Sequence, residues 1–87
     1  MLEIRPTCEH CNIALPNHSK DARICTFECT YCKSCANEVF KKVCPNCGGN
    51  FSKRPIRPEN LLKKYPVSTT VVFKPKDVAA HIKKYKL

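Results

Sequence analysis

Over its first fifty residues the chain carries little periodic apolar pattern; the pattern becomes regular only towards the end. The run Val67-Ser68-Thr69-Thr70-Val71-Val72-Phe73 is β-branched and aromatic, which predicts a strand. Over residues 75–85, Val78, Ile82 and Tyr85 recur at steps of four and three and predict one apolar stripe of a terminal helix. Upstream, residues 51–66 read FSKRPIRPENLLKKYP. There Pro58 suits a first helical position and Pro66 ends a short helix over about 58–65. In the poorly patterned half, residues 23–28 suit a strand. Ser34 suits the cap of a short helix over 36–41, with Val39 and Phe40 turned to the core. Gly48-Gly49-Asn50 marks a turn, so the chain divides into residues 1–50 and an extension, 51–87, of short helix, strand and terminal helix.

Composition explains how so little pattern can fold. A chain of 87 residues buries too little apolar surface to rest on a core alone and needs a metal, disulfides or a partner. There are 8 Cys, all within residues 8–47, against 4 Phe, 3 Tyr and no Trp. Disulfides are disfavoured on two counts. Met1-Leu2-Glu3-Ile4-Arg5-Pro6 lacks the apolar run of a secretory signal. The cysteines also fall largely in Cys-x-x-Cys pairs (Cys8/Cys11, Cys29/Cys32, Cys32/Cys35, Cys44/Cys47), a spacing that points two thiolates at one ion. No run approaches the ~18 apolar residues of a membrane span, so a reduced, cytoplasmic protein is expected.

The formal charge of +9 is uneven. Residues 1–50 carry 6 Lys+Arg against 5 Asp+Glu, and residues 51–87 carry 10 against 2. Thiolate is the metal-binding form, so two divalent ions on eight thiolates lower the total to about +5 and leave the excess in the extension.

The cysteines run Cys8-x2-Cys11-x13-Cys25-x3-Cys29-x2-Cys32-x2-Cys35-x8-Cys44-x2-Cys47. Structural zinc takes four N/S ligands in a closed tetrahedron, so eight thiolates supply two zinc ions and leave no open position for a hydrolytic water. A sequential pairing would group Cys8, Cys11, Cys25 and Cys29, then Cys32, Cys35, Cys44 and Cys47. An interleaved pairing would group Cys8, Cys11, Cys32 and Cys35, then Cys25, Cys29, Cys44 and Cys47. The two-residue link between Cys29 and Cys32 crowds two dianionic clusters in the first scheme, a modest argument for the second.

Over residues 8–47 the ladder resembles RING-type zinc domains, in an aromatic before the fifth ligand (Tyr31 before Cys32), a helix after the sixth (36–40 after Cys35) and a closing Cys44-Pro45-Asn46-Cys47. The resemblance implies a small zinc-stabilised α+β fold, a RING-like cross-brace with two interleaved four-cysteine zinc sites, and a basic C-terminal extension. It departs at His10, where ubiquitin ligases present an aliphatic contact, at Gly48-Gly49, where they place a cation, and in lacking a groove Trp. The wider run, from MLEIRPTCEHC through CPNCGG to RPIRPENLLKKYP, resembles a family of short bacterial cysteine-rich proteins of unknown function over roughly residues 1–70. That likeness implies a bacterial source, without a ubiquitin cascade.

Three functions follow as expectations. The first is a non-catalytic structural-zinc interaction module that binds a protein partner through Ile13, Leu15, Val39, Phe40 and Pro45. The second is nucleic-acid binding by the basic extension, with Lys53, Arg54, Arg57, Lys63, Lys64, Lys83 and Lys84 on phosphates, joined by Lys74, Lys76 and Lys86. Ubiquitin-ligase-like activity is a distant third, on fold analogy alone. His10 and His18 are surplus to eight thiolates, and His81 is expected at the surface. No βαβ context supports a redox Cys-x-x-Cys, so an enzyme is not expected.

Overall fold

A computed structural model describes residues 1–87 as a body of 44 × 19 × 19 Å. Its regular elements are few: β1 (Ala22–Ile24), β2 (Thr30–Cys32), one helical turn (Cys35–Val39), β3 (Ser52–Lys53), α1 (Glu59–Leu62) and α2 (Val78–Tyr85). The strands form one antiparallel sheet in the order β2-β1-β3. Arg23 stands opposite Tyr31 on one side and Lys53 on the other. No helix is long and apolar enough to cross a membrane.

Half of the core is cysteine. Tyr31, Phe40, Leu15, Ala22 and Ala36 are buried among Cys8, Cys25, Cys32, Cys35 and Cys44. Tyr31 and Phe40 meet edge to face at 5.0 Å between ring centroids, and Phe51 packs on Tyr31 at 5.6 Å. The turn Cys35–Val39 is wider than an α-helix: Phe40 N–H closes on Cys35 O at 2.8 Å, five residues back. That rotation aims Phe40 inward. Ser34 makes no side-chain cap bond.

The third strand lies past the turn at 48–50. Its two exposed polar residues and the following Pro55 conceal it in the sequence, yet Arg54 just beyond is buried. The Arg54 guanidinium donates to Arg5 O (2.8 Å), Leu15 O (2.9 Å) and Pro16 O (2.8 Å), which ties the first loop to the sheet. Arg57 likewise donates to Tyr65 O (2.7 Å) and Leu2 O (2.6 Å). Both were expected to face phosphate; both are instead turned onto main-chain carbonyls. Lys53, Lys63, Lys64, Lys83 and Lys84 are exposed.

Residues 67–73 form no strand. Both sides of β1 are taken, and the outer edge of β2 is met by Glu9, whose N–H donates to Thr30 O (3.0 Å) and whose carboxylate accepts from Thr30 N–H. β3 offers only two residues. The segment runs as an unpaired strap, held where Ser68 N–H meets Ile4 O (2.9 Å) and Lys74 N–H meets Glu9 O (2.8 Å). α2 then begins at Asp77, whose Oδ1 accepts from Ala80 N–H (3.1 Å), and ends on Lys86 in the left-handed region (φ 56°). Its most buried residue is His81, at 4 % exposure, with Val78, Ile82 and Tyr85 half-buried around it.

Candidate metal centre

Three cysteine-bearing loops share one local design. Asn12 N–H donates to Cys8 O, Glu28 N–H to Cys25 O and Gly48 N–H to Cys44 O, each at 3.0 Å. The donors Asn12, Glu28 and Gly48 all sit at positive φ (64°, 64° and 76°), so each loop turns back sharply on its own cysteine. Only Gly48 advertises this in the sequence. A Cβ there would also lie 3.0 Å from the Tyr85 ring, so a larger residue would be strained by its φ and would have to push that ring aside.

These loops bring the thiols into two groups. Cys8, Cys11, Cys32 and Cys35 have all four Sγ atoms within 4.8 Å of one another. Cys25, Cys44 and Cys47 form the second group under the same limit. The first pair thus passes over Cys25 and Cys29 to reach Cys32 and Cys35. All eight cysteines are free thiols. In the first group Cys11 Sγ and Cys32 Sγ lie 3.7 Å apart, against the tetrahedron edge of about 3.8 Å that Zn–S bonds of ~2.3 Å require. That one pair is at the spacing two ligands of one ion would need, and the four soft donors together could hold a metal ion.

Cys29 is the exception. It stands outside the second group, and its Sγ accepts from Asn46 Nδ2 at 3.2 Å; the same amide donates to Tyr31 OH at 3.2 Å. The second group is otherwise rich in donors. Cys25 Sγ accepts from Phe27 N–H and Cys29 N–H, both at 3.3 Å. Cys44 Sγ accepts from Asn46 N–H at 3.4 Å, and Cys47 Sγ from Gly49 N–H at 3.4 Å and Thr26 Oγ1 at 3.2 Å. In the first group amides are fewer: Cys35 N–H donates to Cys32 Sγ at 3.5 Å, and the Ile13 amide acts on Cys11.

The electrostatics follow. The Thr26 hydroxyl pulls the Cys47 thiol down to about 6 against the opposing effect of burial, with further help from the Gly49 amide. Burial pushes Cys25, Cys32, Cys35 and Cys44 up. At Cys11 burial also acts upwards, but the Ile13 amide and the thiols of Cys8, Cys32 and Cys35 outweigh it and the net shift is down. Burying several thiolates together without a counter-charge is unfavourable, and a divalent ion supplies that charge.

Two of the three histidines are structural, His10 and His81. His10 Nδ1 accepts from Lys76 N–H (3.1 Å) while its ring rests edge-on against Phe40. His81, expected at the surface, is buried between Phe40 and Tyr85 with Nε2 2.7 Å from Val43 O. α2 is thereby laid over Phe40 and beside Pro45, and Leu15 and Phe40 are fully buried. Of the five residues expected to form a docking groove, Ile13 is the exposed one, at 55 %. Glu9 passed unnoticed in the sequence; its carboxylate bonds Arg5 at 2.6 Å as well as Thr30, linking the first loop to β2.

Comparison with known proteins agrees with the cysteine-rich reading and supplies no activity. A family model described as a protein of unknown function, DUF1272, matches residues 1–57. An uncharacterized protein of Rhizobium meliloti (strain 1021), R02474, is 54% identical over 79 residues, 91% of this chain and 94% of that protein. No solved structure matches.

Proposed function

Taking as premise that the chain belongs to the DUF1272 family of proteins of unknown function, we propose that it is a non-catalytic zinc module that binds a protein partner. Two zinc ions would be held by Cys8, Cys11, Cys32 and Cys35 and by Cys25, Cys44, Cys47 and Cys29, in a RING-like cross-brace. The observation that carries the reading is the convergence of four Sγ atoms within 4.8 Å of one another, one pair at 3.7 Å, in a chain with so few core hydrophobes. The ions supply folding energy and neutralise thiolates that the small core cannot otherwise bury. Thiolate-saturated zinc leaves no coordination position for substrate, which makes the sites scaffolds.

A protein partner is favoured over nucleic acid because Arg54 and Arg57 are spent on internal carbonyls, while Ile13 (55 % exposed) and Phe27 (77 %) stand out from the metal loops. Ile13 also borders a cleft of about 170 Å³ with Ala14, Lys33 and Ser34 beside Cys32. Native mass spectrometry is the first test: two zinc ions per chain, with folding lost on chelation. A metal-free chain or four disulfides would overturn the metal reading. Retardation of short DNA or RNA that weakens steeply with salt would replace the protein partner with nucleic acid. Co-purification of one specific partner with wild type but not with Ile13→Glu would support the module's role.

A further inference from the structure

The two thiol groups differ in ways that matter for an ion. In the first, four Sγ atoms are already gathered, three of the cysteines are buried, and little besides an ion can balance their charge. In the second, three are gathered. The six donor contacts from Phe27, Cys29, Asn46 (two), Gly49 and Thr26 spread over all four thiols. Hydrogen bonds to a thiolate stabilise it without metal and make it a poorer donor to one. Both effects favour the empty state of that position. The same bonds ease competition from protons, which works the other way at neutral pH; the unassembled fourth ligand tips the balance.

Resting on the metal reading above, we propose that the position formed by Cys25, Cys44 and Cys47 is an exchangeable zinc site gated by Asn46, which holds Cys29 away as a detachable fourth ligand, whereas the Cys8/Cys11/Cys32/Cys35 site is permanent. Asn46 is exposed and Cys29 and Cys47 are half-buried, so the gate lies on an accessible edge. Were Cys29 to leave the ion for Asn46 Nδ2, 3.2 Å from its Sγ, an external soft donor could take its place, of which a low-molecular-weight thiolate is the matching class. Such a step would exchange one thiolate for another: the metal–Cys29 bond breaks as the bond to the incoming thiolate forms, with no change of oxidation state or charge. An acceptor presenting several thiolates would then draw the ion away. The chain would carry one ion for its fold and one it can surrender.

The test uses the full chain loaded with zinc, its two ions first counted by native mass spectrometry. Fewer than two at that stage would refute the metal reading itself, separately from the inequality. A graded chelator should then remove one ion at least ~10-fold more readily than the other. Brief iodoacetamide labelling of the one-ion form should mark Cys25, Cys29, Cys44 and Cys47 and spare the other four. Joint loss of both ions, or labelling of Cys8, Cys11, Cys32 and Cys35 first, would overturn the proposal. Asn46→Ala, which frees Cys29, should slow loss of the labile ion by several-fold, on the scale of one net hydrogen bond. Unchanged or faster loss in that variant would remove Asn46 from the gate.

Discussion

The cysteine-rich body and the C-terminal strap are equally short of large apolar residues, but they close in different ways. In the body, residues 4–54, three left-handed turns, the buried Arg54 and two thiol groups lock loops that carry almost no regular structure. The strap, residues 67–87, is fastened at points: Ser68 on Ile4, Lys74 on Glu9, Lys76 on His10, and His81 against Phe40 and Val43. Cross-links make a body cooperative, whereas separate fastenings can open one at a time. Loss of a body residue should therefore spread through the body, and loss of a strap residue should stay local.

The largest effect is expected for Cys8→Ser. It removes a ligand from the preassembled site, and with structural zinc contributing on the order of 10 kcal/mol the body should fail to fold. Circular dichroism and one-ion stoichiometry would check this; a folded, two-ion variant would contradict the body's dependence on that site. Cys29→Ser should be much milder, retaining a folded chain with one firm ion.

Next comes Arg54→Met, which leaves the carbonyls of Arg5, Leu15 and Pro16 without donors. It should lower stability by roughly 2–4 kcal/mol, read as a shifted denaturant midpoint in the zinc-loaded protein. Burial already holds the Arg54 pKa down, but its full charge is retained at neutral pH and the fork has no lysine equivalent.

His81→Ala should cost less, about 1–2 kcal/mol, and should leave two ions bound. Hydrogen exchange at the α2 amides should quicken while Tyr31 and Phe40 amides keep their protection. Spread of that exchange into β1 and β2 would show that strap and body are one cooperative unit.

The smallest effect concerns Glu3, whose carboxyl is drawn below its ordinary value chiefly by the hydrogen bond from Ser68 Oγ at 2.7 Å. A depressed folded pKa means that this contact stabilises the strap above the unfolded value and is lost as pH falls through the folded one. Ser68→Ala should return the Glu3 titration, followed by NMR, towards an ordinary glutamate.

The sequence by itself determined the chemistry. Cysteine count and spacing set eight thiols in paired loops, seven of which the fold gathers into two groups that could hold metal, and Pro58 and the spacing of Val78, Ile82 and Tyr85 placed both later helices to within a few residues, because such signals act over one or two turns of chain. Tertiary structure alone decided the rest. The strand propensity of residues 67–73 went unused because the outer edge of β2 is taken by Glu9 and β3 offers only two residues to pair with. Ser52-Lys53 became a strand for want of any competitor beside β1. Arg54 and His81 read as surface residues from composition, but main-chain carbonyls of distant loops, unmarked in any sequence, gave them buried partners. The grouping of the thiols was likewise set by which loops the sheet and the Cys35–Val39 turn brought together, since spacing says how two neighbours point but not whom they meet across the fold.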